Sequence, residues 1–184
     1  MNQQLLTVAI TMPDALPPDD ERRLAAMAER LGFTCLRDGE LPQHGVVRSN
    51  DPDLVARARA DLGADGQVLV AVPISVGRSR TEAAARADLE ARFTTERHPE
   101  RIGIFGAFED AQEQVLALAR AGADGLVLEI PLARDVADVL AQIRALVVGA
   151  APRLRDLVPG GRSEVAPTVF YAEGWTPPEG YSEL

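Results

Sequence analysis

The side chains of this sequence with the means to do chemistry fall just after short runs of apolar and β-branched residues. Thr11 and Met12 close the first such run; Asp38, Glu40 and His44 follow the second; Ser75, Gly77 and Arg78 end the third; Gly106 ends the fourth and Glu129 the fifth. If these runs are parallel strands, their carboxyl ends share one rim, which is where parallel α/β folds hold their ligands. On that rim His44 is the natural proton-transfer group, because imidazole titrates near neutral pH, and Asp38 and Glu40 precede it as further acid–base groups. The plain alternative for His44 is a solvated loop histidine.

Arg78 stands just before Ser79, where a helix begins, so it and the helix N-terminus would suit a phosphate. It would equally suit a surface pair with Glu82. Glu129 follows four apolar or small residues and is expected to be partly buried, in an internal ion pair or as a functional carboxylate. Gly160-Gly161-Arg162-Ser163 has the composition of a small anion-binding turn. Two histidines and one cysteine in distant segments give no metal-ligand spacing. The dinucleotide fingerprint is incomplete around Gly103 and Gly106, and no Gly-x-Ser-x-Gly elbow occurs. All nineteen basic residues are arginine, which removes Schiff-base, pyridoxal-phosphate and phosphate-loop lysine chemistry.

Positioning such a rim requires alternating strands and helices. Gly63-Ala64-Asp65-Gly66 and Gly122-Ala123-Asp124-Gly125 repeat one phrase, and Leu31-Gly32-Phe33-Thr34 is a third version. Each stands where a helical pattern gives way to a strand, with glycine in the left-handed position that ends a helix. Strands are expected at Leu5–Thr11, Phe33–Arg37, Gln67–Val76, Arg101–Phe105 and Leu126–Ile130, with a kink or an end of pairing at Pro73. Helices are expected from Asp19 to Leu31, from Asp51 to the first repeated phrase, from Ser79 to Thr95, from Glu109 to Ala121 and from Asp135 onward. Ser79-Arg80-Thr81-Glu82 has the spacing of a capping box. Residues 38–50 lack any period and read as loop. The pattern predicts a parallel sheet with right-handed crossovers.

At 184 residues and 46% hydrophobic, the chain can bury the core of one domain. Its net charge of −9 argues against duplex nucleic acid and anionic membrane as partners. Neither a leader peptide nor a membrane-length apolar run is evident, so a cytoplasmic protein is expected. Cys35 reads as an inert, buried thiol. Residues 1–149 form the expected domain, and 150–184 a Pro- and Gly-rich tail that holds Phe170, Tyr171, Trp175 and Tyr181, half of the aromatics. Such a tail would pack on the protein's own surface, dock on a partner or cover a pocket.

Two stretches resemble the luciferase-like family of flavin- or deazaflavin-dependent oxidoreductases. The first runs from Thr7-Val8-Ala9-Ile10-Thr11 through Leu31-Gly32-Phe33 to Asp38-Gly39-Glu40. The second runs from Val72-Pro73-Ile74-Ser75-Val76-Gly77-Arg78 and Thr81-Glu82-Ala83 through Ile104-Phe105-Gly106 to Ala121-Gly122-Ala123-Asp124-Gly125. Their order matches the opening and closing parts of that family's (β/α) barrel. A complete barrel takes about 250 residues, so the resemblance implies an incomplete TIM-barrel-like α/β fold with about five parallel strands. The loss falls between Glu40 and Asp51.

The resemblance implies a shortened flavin- or deazaflavin-dependent oxidoreductase or monooxygenase acting on a small organic substrate. FMN or deazaflavin would lie against Thr11, Met12, Ser75, Gly77, Arg78, Gly106 and Glu129, with His44, Asp38 and Glu40 catalytic. The competing reading is a non-catalytic flavin-binding or accessory subunit. Because an incomplete barrel leaves open sheet edges, either reading implies a homodimer or a complex with a fuller relative. A third reading is an unrelated open doubly wound domain.

Overall fold

A computed structural model of the chain describes residues 7–11, 17–36, 40–42, 44–88, 93, 98–130 and 136–156. Met12, Asp38, the 160–163 turn and the aromatic tail lie outside these. The elements are β1 (Thr7–Thr11), α1 (Pro18–Arg30), β2 (Thr34–Leu36), β3 (Val46–Val47), α2 (Pro52–Leu62), β4 (Leu69–Gly77), α3 (Arg80–Ala87), α4 (Pro99–Ile102), β5 (Ile104–Ala107), α5 (Phe108–Arg120), β6 (Gly125–Glu129) and α6 (Val136–Asp156). All strand pairs are parallel, in the order β2-β1-β6-β4-β3, with β5 also on β4. The fold is α/β, with helices flanking a six-stranded parallel sheet, consistent with an incomplete (β/α) architecture.

The extra strand, β3, lies in the stretch expected to be loop. It is two residues long, too short to carry a period of its own. The last helix also runs past Gly149 to Asp156, with Ala150 and Leu154 buried on the same face as Val139, Leu140, Ile143 and Leu146. First and last strands lie side by side, Ala9 opposite Val127, and β2 and β3 stand far apart in the sheet. The connection from β2 to β3 therefore crosses from one end of the strand order to the other.

Glycines end the helices as expected. Gly32, Gly63 and Gly122 all have positive φ, +83°, +69° and +103°. After α1 the N–H of Phe33 reaches Ala28 O and that of Gly32 reaches Glu29 O; after α5, Ala123 and Gly122 repeat the arrangement onto Leu118 and Ala119. These paired bonds satisfy carbonyls that the helix leaves open and turn the chain into the next strand.

The two repeated phrases meet because β4 and β6 are neighbours. Arg59 of α2 donates to the carbonyls of Gly63 and Gly66 in the first phrase and Gly122 in the second, and pairs with Asp124. Asp124 also accepts the Val68 N–H at 2.7 Å. This fastening lies at the amino ends of the strands, opposite the expected functional rim.

One sheet face packs on helices: Ile10, Val70, Val72, Leu126 and Leu128 lie in the main core with Leu24, Val55, Leu116 and Leu140. The other face carries Ala9, Ala71 and Val127, joined by Leu36, Leu41 and Val46. Leu41 belongs to the segment that leads from β2 to β3, so that segment packs on this second face.

Pro73 marks a change of neighbour. Up to Pro73, β4 pairs with β6; from Ile74 to Gly77 it pairs with β5. Asn50, just beyond β3, donates through Nδ2 to Glu100 O, Gly103 O and Gln114 Oε1 at 2.8–3.0 Å. This tether sets β5 end to end with β3 along one edge of β4. The crossover from β4 to β5 then runs opposite to those from β1 to β2, β3 to β4 and β5 to β6, and right-handedness puts α3 on the opposite face. Ser75 and Phe105, on that face, confirm it: Ser75 Oγ donates to Ala83 O at 2.7 Å, and Phe105 packs with Ala83, Ala87 and Phe93.

Candidate functional site

Every strand is parallel, so all carboxyl ends share one rim, and the expected residues divide there into two groups. Thr11 and Glu129 are opposite one another in register. β4 then runs four residues beyond Pro73, roughly 13 Å at ~3.3 Å per residue, so Ser75, Gly77, Arg78 and Gly106 form a second, higher group. Glu40 and His44 lie on the segment from β2 to β3, and both are exposed. No pairing between His44 and a rim carboxylate is seen among the described residues.

In the lower group, the Glu129 side chain is 13% exposed and lies 3.5 Å from Arg48, whose own side chain is 62% exposed. Of the two readings of Glu129, the described contact is an ion pair. Arg48 follows β3, so sequence analysis that took this stretch for loop did not single it out.

The upper group is engaged in packing. The Ser75 hydroxyl is buried against α3. A Cβ at Gly77 would stand 2.9 Å from Ala83 N and from Glu82 Cβ, so glycine here lets the start of α3 come close. Gly106, at φ +131°, is similarly close to Asp110. The Ser79 hydroxyl accepts the Glu82 N–H as a capping box requires, but the Glu82 carboxylate reaches one residue further back, to the Arg78 N–H at 2.9 Å. That N–H, followed by the Arg86 charge, holds the Glu82 carboxyl below its ordinary range.

A depressed carboxyl stabilises the folded chain above its ordinary titration range and ceases to do so as pH falls through the lowered folded value. Wild type should therefore melt higher than Glu82→Gln at pH 6, and the gap should close on acidification below about pH 4. Thermal melts across that range check it.

Adjacent strands whose following helices leave on opposite faces form the crevice that open α/β sheets use for ligands. Here these strands are β4, followed by α3 on one face, and β6, followed by α6 on the other. The crevice is bridged by Arg86 of α3. Its guanidinium donates to Val76 O at 2.7 Å, to Glu82 at 2.8 Å and to Asp138 at 2.6 Å, and it also contacts Gln142. Gln142 in turn donates to Asp138 at 2.8 Å. Sequence analysis missed this cluster, although Glu82/Arg86 and Asp138/Gln142 are both i, i+4 pairs. The signal to be read was two such pairs on helices flanking one strand end.

A cleft of about 570 Å³ lies elsewhere, between α1 and the edge strand β2, lined among the described residues by Pro18, Glu21, Arg22, Ala25, Glu29, Cys35, Leu36 and Glu40. Burial and then the Glu29 charge push the Cys35 thiol up, which favours the unreactive protonated form. Among the described residues no group of three or more His, Cys, Asp or Glu is arranged to hold a metal, and no helix is long and apolar enough to cross a membrane.

No family model, curated protein or solved structure matches this chain. Of the residues that the luciferase-like resemblance assigns to a flavin, Ser75, Gly77 and Gly106 are engaged with α3 and α5 through a hydroxyl or the lack of a Cβ.

Proposed function

We propose that this chain is an accessory, partner-binding (β/α) domain rather than a redox catalyst. The observation that carries this reading is the closure of the carboxyl-end crevice. Arg86 ties α3 to α6 across it, and Ser75, Gly77 and Gly106 hold the flanking helices in place. A flavin ring needs an open, dry slot at the strand ends, with a proton donor directed into it. His44 and Glu40, the described candidates for that donor, are exposed on the crossing segment instead.

A second reading, the shortened flavin- or deazaflavin-dependent oxidoreductase of the luciferase-like kind, draws support from one feature. Arg48 and Arg78, both after strand ends, are exposed in a chain of net charge −9, and an anionic cofactor would suit them. Titration of the full chain with FMN and with a deazaflavin, followed by flavin fluorescence, separates the two. The accessory reading expects no saturable quenching; saturable quenching that is lost in the Arg48→Ala and Arg78→Ala variants would overturn it, and turnover of the reduced flavin by the bound protein would then mark the oxidoreductase.

A further inference from the structure

We propose that the side-chain amide of Gln114 stands in for a neighbouring strand on the outer edge of β5, and that this closure keeps β5 from pairing with the same segment of a second copy. The need for such a device lies in the sequence. Ile102-Gly103-Ile104-Phe105-Gly106-Ala107-Phe108 carries no charge and no proline, and is bounded by Arg101 and Glu109. Uncharged stretches of six or seven residues with β-favouring side chains stack on identical copies when their backbone edge is free. Charges at both ends are one brake on this, and covering the edge is another.

The edge of β5 is covered by hydrogen bonds from within the chain. In a parallel strand the N–H and C=O of one residue point to the same side and those of the next to the other. The Phe105 N–H donates to Gln114 Oε1 at 3.1 Å, and Gln114 Nε2 donates to Phe105 O at 2.7 Å. Both groups are therefore turned away from β4, the strand that β5 pairs with, and toward α5. A side-chain amide carries the donor and acceptor of a peptide group, so one glutamine makes the two bonds that a strand would make.

The backbone on either side of Phe105 is engaged as well. Gly103 gives its N–H to Pro99 O at 3.1 Å, and its carbonyl accepts from Asn50 Nδ2 at 3.0 Å. Ala107 is the N-cap of α5, so its carbonyl begins the helix ladder. The Gln114 amide is itself fixed in orientation: Oε1 also accepts from Asn50 Nδ2 at 3.0 Å, and Nε2 also reaches Asp110 O at 3.2 Å. Reversing it would set its oxygen against two carbonyls and its nitrogen against two donors. The closure does not depend on the accessory reading; it directs a strand-adding partner of this domain away from β5.

The test uses the full chain, with amide hydrogen exchange followed by NMR and molecular mass by sedimentation. In wild type the Phe105 N–H, although on the outer side of an edge strand, should exchange as slowly as that of Ile104 and at a rate independent of protein concentration. Gln114→Met keeps the length and helix preference of the side chain but has no amide. In dilute solution it should speed Phe105 exchange at least tenfold, while Val70 and Leu126 in the central strands keep their wild-type rates. In concentrated solution the variant should gain mass, and Phe105 protection should return as a second copy takes up its N–H. Gln114→Ala gives the same readouts if methionine does not fit the site. Fast Phe105 exchange in wild type, or slow exchange that survives loss of the amide, would overturn the closure. A variant that keeps the wild-type mass at every concentration would overturn the protective role, as would a heavier species in which Phe105 still exchanges fast. None of these outcomes bears on flavin titration, so failure here and failure of the accessory reading can be told apart.

Discussion

Replacing Arg86 by alanine is expected to destabilise the chain by about 2–4 kcal/mol, the range for removing one partner of a partly buried, multiply bonded charge. The Arg86 side chain is 17% exposed and joins one backbone carbonyl, two carboxylates and one amide. Its removal leaves Val76 O with no guanidinium donor and sets Glu82 and Asp138 near each other without the intervening cation. Asp138 is 44% exposed, so water relieves part of the repulsion, and the lower half of the range applies if α6 relaxes outward. In thermal unfolding this is a fall on the order of 10 °C for a domain of this size.

Arg86→Lys should recover only a minor part of the loss, because one ammonium cannot match the planar fork that reaches Val76, Glu82 and Asp138 together. A double-mutant cycle of Arg86→Ala with Asp138→Ala should show strong coupling. Additive effects would mean that the guanidinium does not tie α3 to α6.

Arg59→Ala is the second large effect, about 2–3 kcal/mol by the same reasoning on hydrogen-bonded charges. Its guanidinium accepts no substitute: it serves Gly63, Gly66 and Gly122 carbonyls and Asp124 from one position, and the side chain is 25% exposed. Loss of the cation would free both repeated joints at once. Denaturant unfolding should show a lower midpoint with an unchanged slope if the sheet remains otherwise intact. Arg57→Ala, two residues away on the same helix and exposed, should change stability by less than about 0.5 kcal/mol. Equal effects of the two changes would contradict the joint-fastening role.

The parts of this fold that could be read from sequence are those fixed by neighbouring residues. Gly32, Gly63 and Gly122 end helices because only glycine adopts their backbone angles without strain, and the Ser79 cap follows from local spacing. Pro73 was legible as an interruption, since it has no N–H to give, but not as the place where β4 exchanges β6 for β5. What could not be read depends on contacts between distant segments. Val46-Val47 is a strand only because Leu69 and Val70 lie beside it.

The face chosen by α3 follows from where β5 docks, which Asn50 helps to set from more than fifty residues away. The site shows the same division. Ser75, Gly77 and Gly106 were correctly placed at strand ends, yet their engagement with α3 and α5 is a packing outcome that spacing does not encode. Arg86 and Gln142 were passed over because each looks like an ordinary helix-surface residue until the two helices meet over Val76.

The claim on which the proposed function depends is that, among the described residues, the crevice between α3 and α6 is filled by the protein's own side chains rather than by a cofactor. Flavin fluorescence during titration of FMN with the purified full chain tests it most directly. The account predicts linear, unsaturated behaviour into the high micromolar range, unchanged by Arg48→Ala. Saturable quenching at low micromolar protein, abolished by Arg48→Ala or Arg78→Ala, would contradict it.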